Sequence, residues 1–100
     1  MVRVLTGYKV KPGSDILPLL LQLRSSEATY PGFVSAENLL REGDKTIVVK
    51  MTTWQTIAHW RAWETSKLRQ ALMGQAHELL LGEPVVTTYT VMPTVGWSIR

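Results

Sequence analysis

The chain predicts an α+β fold, a split βαβ sandwich in which one four-stranded antiparallel sheet carries its helices on one face. Three observations lead there. The segments follow the order strand, helix, strand, strand, helix, strand. Two of the strand-like runs are joined by a turn short enough for a hairpin, and no segment repeats at a fixed period.

Val2, Val4, Thr6, Tyr8 and Val10 alternate with Arg3, Leu5, Gly7, Lys9 and Lys11, the period of a half-buried strand. Lys11-Pro12-Gly13 ends it. Ser14 or Asp15 then caps a helix whose first turn accepts Pro18, because the first N–H groups of a helix have no partner inside it. Ile16, Leu20 and Leu23 recur at helical spacing. Leu17, Leu19 and Leu21 widen the apolar face to nearly all round, so this helix is expected to be well buried. Tyr30-Pro31-Gly32-Phe33 breaks the pattern, and Phe33 to Leu40 and Thr46 to Trp54 read as an antiparallel hairpin across Arg41-Glu42-Gly43-Asp44-Lys45. Ile47, Val48, Val49 and Met51 put apolar groups on both faces of the second of these strands, which predicts cover on both sides.

The second helical region reads as two pieces. Thr56 caps a short helix whose Ile57, Trp60 and Trp63 share a face. Ser66 caps a longer one with Leu68, Ala71, Leu72, Gln75, Ala76 and Leu79 on one stripe, Gly82 as its C-terminal glycine and Pro84 beyond it. Val85 to Met92, rich in β-branched residues, is the last strand. Pro93 to Arg100 is a tail whose Trp97 and Ile99 are expected to dock. Helices on one face leave the other bare, and a second copy related by a two-fold axis covers it most simply, so a homodimer is expected.

Composition excludes several classes of function. A chain of 100 residues holds one domain with a modest core. With 45% hydrophobic and 19% charged residues it is globular in character, not disordered. The formal charge of +3 is spread from Arg3 to Arg100 without a basic run, which fits a solvated surface better than a nucleic-acid footprint. There is no cysteine, so disulfides and thiol catalysis are excluded, and a reducing compartment fits. The N-terminus alternates and does not read as a signal peptide. The longest apolar cluster, Ile16 to Leu23, is interrupted by Pro18 and Gln22 and is too short to cross a membrane. The expected setting is cytoplasmic.

Trp54, Trp60 and Trp63 fall within ten positions at the junction of a strand and a helix. Rings this large build a thick core or the wall of an aromatic pocket, and the expectation is both, with rings facing each way. Polar partners are sparser. His77 is the acid/base candidate because a histidine titrates near neutral pH, and His59, between Ala58 and Trp60, is expected to face solvent. There is no HExxH and no carboxylate pair at metal-binding spacing, so no metal site is expected.

The run Tyr30-Pro31-Gly32-Phe33-Val34, then Leu39-Leu40-Arg41, then Val48-Val49 through Trp54, and then Ala62-Trp63-Glu64-Thr65-Ser66 resembles the antibiotic biosynthesis monooxygenase domain. Its members show PGF, a short hairpin, a strand ending in tryptophan and an A-W-x-x-S segment. The resemblance covers residues 1–92, leaving 93–100 as a tail. It implies a ferredoxin-like fold forming a dimeric α/β barrel, with a pocket between helices and sheet in each subunit. Members include cofactor-independent monooxygenases acting on polyphenolic polyketide intermediates, and haem-degrading monooxygenases.

The haem-degrading branch uses an asparagine, a tryptophan and a haem-ligating histidine at positions held here by Thr6, Trp63 and Met73, with His77 one helical turn past Met73. The polyketide branch uses an asparagine, a tryptophan and a tyrosine where this chain has Lys50, Trp54 and Trp60. The resemblance thus implies Thr6, Trp54, Trp60, Trp63 and Met73 as substrate-binding residues. Lys50, if its side of the strand faces the pocket, stabilises a phenolate or peroxide anion beside them.

Two functions follow. One is a monooxygenase without cofactor or metal that acts on an aromatic or quinol-like small molecule. The other is a dimeric protein that binds such a molecule, or haem, without turnover. Fold alone does not choose between them.

Overall fold

In the computed structural model, which describes residues 1–93, four strands form one antiparallel sheet in the order β2-β3-β1-β4. They are β1 (Val2–Lys9), β2 (Phe33–Leu40), β3 (Ile47–Trp54) and β4 (Val85–Thr90). The helices α1 (Leu17–Glu27), α2 (Ile57–Glu64) and α3 (Lys67–Ala76) cover one face. This is the expected ferredoxin-like α+β fold. β1 lies in the sheet interior, with Thr6 opposite Lys50 on one side and Val86 on the other. Its alternation holds: Val2, Val4, Thr6 and Tyr8 are buried, and Arg3, Leu5, Gly7 and Lys9 take the other side.

α1 begins one residue after Ile16. Its entry is fixed by the Asp15 carboxylate, which accepts the Leu17 N–H at 3.0 Å, and Pro18 occupies the first turn. Leu19, Leu20 and Leu23 are buried, each contributing roughly 2 kcal/mol through removal from water. Leu17 and Leu21 are not buried; about half of each is exposed. A helix laid on a flat sheet hides only one stripe, so an all-round apolar sequence does not produce all-round burial.

The same rule corrects β3. Val48, Lys50, Thr52 and Trp54 are buried, whereas Ile47, Val49 and Met51 on the opposite face are only half covered. The helices reach one face only.

Thr56 and Ser66 cap as expected, their hydroxyl oxygens accepting the N–H of His59 and of Arg69. Trp60 and Trp63 are buried, but Ile57, expected on their face, is exposed. α3 stops at Ala76 and does not run on to Gly82. Leu80 bridges to Val10, the Lys11 N–H donates to the Leu79 carbonyl at 2.8 Å, and the Leu81 N–H donates to the Lys9 carbonyl at 2.7 Å. Pairing with the end of β1 replaces the last helical turn. Gly82, at φ +84°, serves the turn after this bridge instead of the helix end. The last strand ends at Thr90, and the docking expected of Trp97 and Ile99 falls outside the described residues. Among the described residues no helix is long and apolar enough to cross a membrane.

Candidate functional site

Period-two alternation points Thr6, Tyr8, Lys50 and Thr52 toward the helices, and neighbouring strands bring them side by side, Thr6 directly across from Lys50. Above them lie Leu23 and Glu27 from α1, Trp60 and Trp63 from α2, and Arg69 and Met73 from α3. Together these side chains enclose a cavity of about 10 Å³. That is room for about one water molecule.

Its floor carries a buried ion pair. Lys50 Nζ lies 2.7 Å from Glu27 Oε1, with 5% and 1% of the two side chains exposed. The two groups compensate each other's charge at hydrogen-bonding distance, and among the described residues no third side chain satisfies either atom. Burial pushes the Glu27 carboxyl above its usual range, opposed by the charge of Lys50, and pushes the Lys50 amine below its own, opposed by Glu27. The two protonation equilibria are therefore drawn toward each other. Tyr8, raised to about 12 by burial, keeps its proton and donates its O–H toward Met73 Sδ at 3.9 Å.

The walls are aromatic and interlocked. Tyr30 meets Trp63 edge-on at 4.8 Å between ring centres. Trp54 meets Trp60 at 6.1 Å, and the half-buried Arg69 lays its guanidinium 5.3 Å from the Trp60 ring centre. Among the described residues the buried Trp60 Nε1 has no hydrogen-bond partner. Glu27 and Lys50 compensate each other, which leaves the Trp60 indole N–H as the uncompensated polar group of the lining.

Five of the residues named from sequence meet here: Thr6, Lys50, Trp60, Trp63 and Met73. Trp54 and His77 do not. Trp54 is fully buried behind the cavity, its Nε1 donating to Thr52 Oγ1 at 3.0 Å and its ring set against Phe33. His77 stands where α3 ends, its side chain 62% exposed and its Nδ1 3.6 Å from Glu83 Oε1. His77 keeps helical backbone angles (φ −56°, ψ −37°), but one turn beyond Met73 its side chain has passed the cavity and stands in solvent.

Glu27, Tyr8 and Arg69 were missed. Glu27 had a signal, since it follows Leu20 by seven residues and Leu23 by four and so continues the buried stripe of α1 with a carboxylate. Where the haem-degrading branch carries its haem-ligating histidine, this chain presents the thioether of Met73 to the cavity. Among the described residues no three His, Asp or Glu side chains gather as a metal site.

A roomier groove of about 360 Å³ opens beside this cavity, between the start of α1 and the β2–β3 hairpin. Its walls include Ile16, Leu20, Leu40 and Val48, and Asn38 on its rim is the cross-strand partner of Lys50.

Solved structures share this architecture. The chain superposes on an antibiotic biosynthesis monooxygenase at 17% identity and TM-score 0.81, covering 93% of this chain and 100% of that one. It superposes on SnoaB, a cofactor-independent oxygenase from Streptomyces nogalater, at 15% identity and TM-score 0.82, covering 96% and 97%. A conserved protein from Methanosarcina mazei Go1 matches at 17% identity and TM-score 0.81, covering 88% and 89%. At these identities the likeness is one of fold. No curated protein matched the sequence. The family model for antibiotic biosynthesis monooxygenase matches residues 1–75, three quarters of the chain and every element that builds the cavity, and the chain belongs to that family.

Proposed function

We propose that the protein is a cofactor-independent monooxygenase acting on an aromatic or quinol-like small molecule, and that it works as a homodimer. The observation that carries this reading is the buried ammonium of Lys50 at the base of a cavity walled by Trp60, Trp63 and Tyr8. Oxygenation without metal or flavin needs a substrate acidic enough to form a carbanion or phenolate that reduces dioxygen. For an anthrone-type carbon, CH₂ and O₂ become C=O and H₂O: one oxygen atom enters the substrate and the other leaves as water. The protein's share is to bind the ring, exclude water and hold the anions formed on the way.

An aromatic ring needs more room than this cavity offers, and Arg69, half-buried and stacked on Trp60, is the lining side chain whose displacement would widen it. The adjoining groove, within the volume range of small-molecule sites, provides space for the rest of a polycyclic body.

Oxygen uptake over a panel of anthrones and hydroquinones tests the reading. Turnover is expected with at least one member, falling about a hundredfold in Lys50→Met, the scale for loss of one preorganised anion-stabilising group. Binding across the panel with no oxygen consumed would favour a sequestering protein instead.

A further inference from the structure

We infer that Glu27 is the proton acceptor of this site, and that Glu27 and Lys50 act as one unit which takes a proton from an acidic C–H or O–H of the substrate while holding the resulting anion. The inference rests on the oxygenase reading for its substrate class but concerns a step that precedes oxygen.

The geometry permits few other acceptors. Tyr8 holds its proton far above neutral pH and is not a base there. Thr6 and Thr52 are not basic, and His77 is outside the cavity. Glu27 is the single carboxylate among the lining residues, and it ends α1 with its side chain enclosed. Charged groups act on it from three elements: Arg24 on its own helix, Lys50 on β3 and Arg69 on α3, with Tyr8 on β1. α2 contributes only the tryptophan rings.

Three cations against one carboxylate leave the surroundings net positive. Protonating Glu27 alone would leave Lys50 buried and uncompensated, which is costly. Proton transfer from the substrate avoids this, because the negative charge passes from Glu27 to the substrate and remains beside Lys50. The bond that breaks is the substrate's C–H or O–H, and its electron pair stays on the substrate. The bond that forms is O–H on Glu27, and no net charge enters or leaves the cavity. Both members of this buried acid–base pair line the cavity, so a substrate anion formed there takes the place of the Glu27 carboxylate as the counter-charge of Lys50.

The test is anaerobic titration of the intact protein with 1,8-dihydroxyanthrone at a pH where the free compound is neutral. Wild type is expected to show the long-wavelength absorbance of the bound anion. Calorimetry in two buffers of different ionisation enthalpy should find close to no proton released, because Glu27 has kept it. Glu27→Gln at equal saturation should show at least tenfold less anion. If that variant does not fold, the proton count on wild type decides alone. Release of about one proton per anthrone bound, an undiminished anion in Glu27→Gln, or a bound anthrone that stays neutral overturns the inference. Air is then admitted: an anion that forms but consumes no oxygen sinks the oxygenase reading and leaves Glu27 standing, whereas turnover retained in Glu27→Gln does the reverse. An anthrone that does not bind sinks both.

Discussion

Lys50 and Glu27 are each costly to bury and tolerable only together, and this coupling has a pH signature. Burial raises the Glu27 pKa above its ordinary value of 4.5, so the fold favours the protonated carboxyl. A group shifted that way contributes stability fully below the unfolded value and loses it as pH rises through the folded one. Lys50 runs oppositely. Its pKa is lowered from 10.5, so stability returns as pH rises through the lowered value. Lys50 is the strongest influence restraining the rise at Glu27, and removing it exposes the full burial penalty. Lys50→Met should therefore lose stability as pH rises from about 4 to about 7, reaching about 3–5 kcal/mol near neutrality. The Glu27→Gln/Lys50→Met double variant should lie within about 1 kcal/mol of wild type, since an uncharged pair replaces a charged one. Urea unfolding at three pH values checks both, and a flat profile for Lys50→Met would contradict a buried, ionisable Glu27.

At the scale of elements, the Pro31-Gly32-Phe33 turn locks α2 to the sheet. The Gly32 carbonyl accepts the Gln55 N–H at 2.8 Å, and Gly32 has φ +84°. A Cβ at this position would lie 2.1 Å from His59 Cγ, on a ring whose Nδ1 is held 2.8 Å from Thr56 Oγ1. The turn, the cap of α2 and the entrance of β2 therefore share one close approach that only glycine allows. Gly32→Ala should cost about 2 kcal/mol or more in denaturant unfolding. Adding His59→Ala should restore only part of this, because a side chain at positive φ still costs about 1–2 kcal/mol. Full recovery would mean that the contact alone, and not the backbone, selects glycine. Since α2 carries Trp60 and Trp63, the same turn sets the height of the cavity wall above Lys50.

At the scale of the whole molecule, the sheet face away from the helices is the unfinished part. Leu39, Val85 and Tyr89 are exposed there, and Leu5, Val49 and Met51 are half covered. A second copy laid on this face would complete the cover that the two-sided apolar pattern of β3 calls for. Sedimentation at micromolar concentration should give a dimer for wild type and a monomer for Met51→Glu, which sets a charge beside Leu5, its cross-strand partner. The substitution lies on the face away from the cavity, so a monomeric wild type would remove the dimer without touching the site.

Local chemistry in the chain determined the order of elements, the hairpin, the caps at Thr56 and Ser66, and the aromatic character of one region. Each depends on neighbours a few residues apart: alternation, helical spacing, a hydroxyl before a helix. The same patterns could not say which apolar residues are covered, as Leu17, Leu21 and Ile57 show, because cover depends on what is packed opposite. Nor could they end α3 at Ala76, where pairing of Leu80 with Val10 across the fold outcompetes a helical turn. The site divides the same way. Trp60, Trp63, Thr6, Lys50 and Met73 could be named from the motif that carries them. The joining of Lys50 to Glu27, 23 positions earlier in the chain, required α1 to lie across β3, because a charge pair is made by distance in space and spacing along the chain carries no record of it.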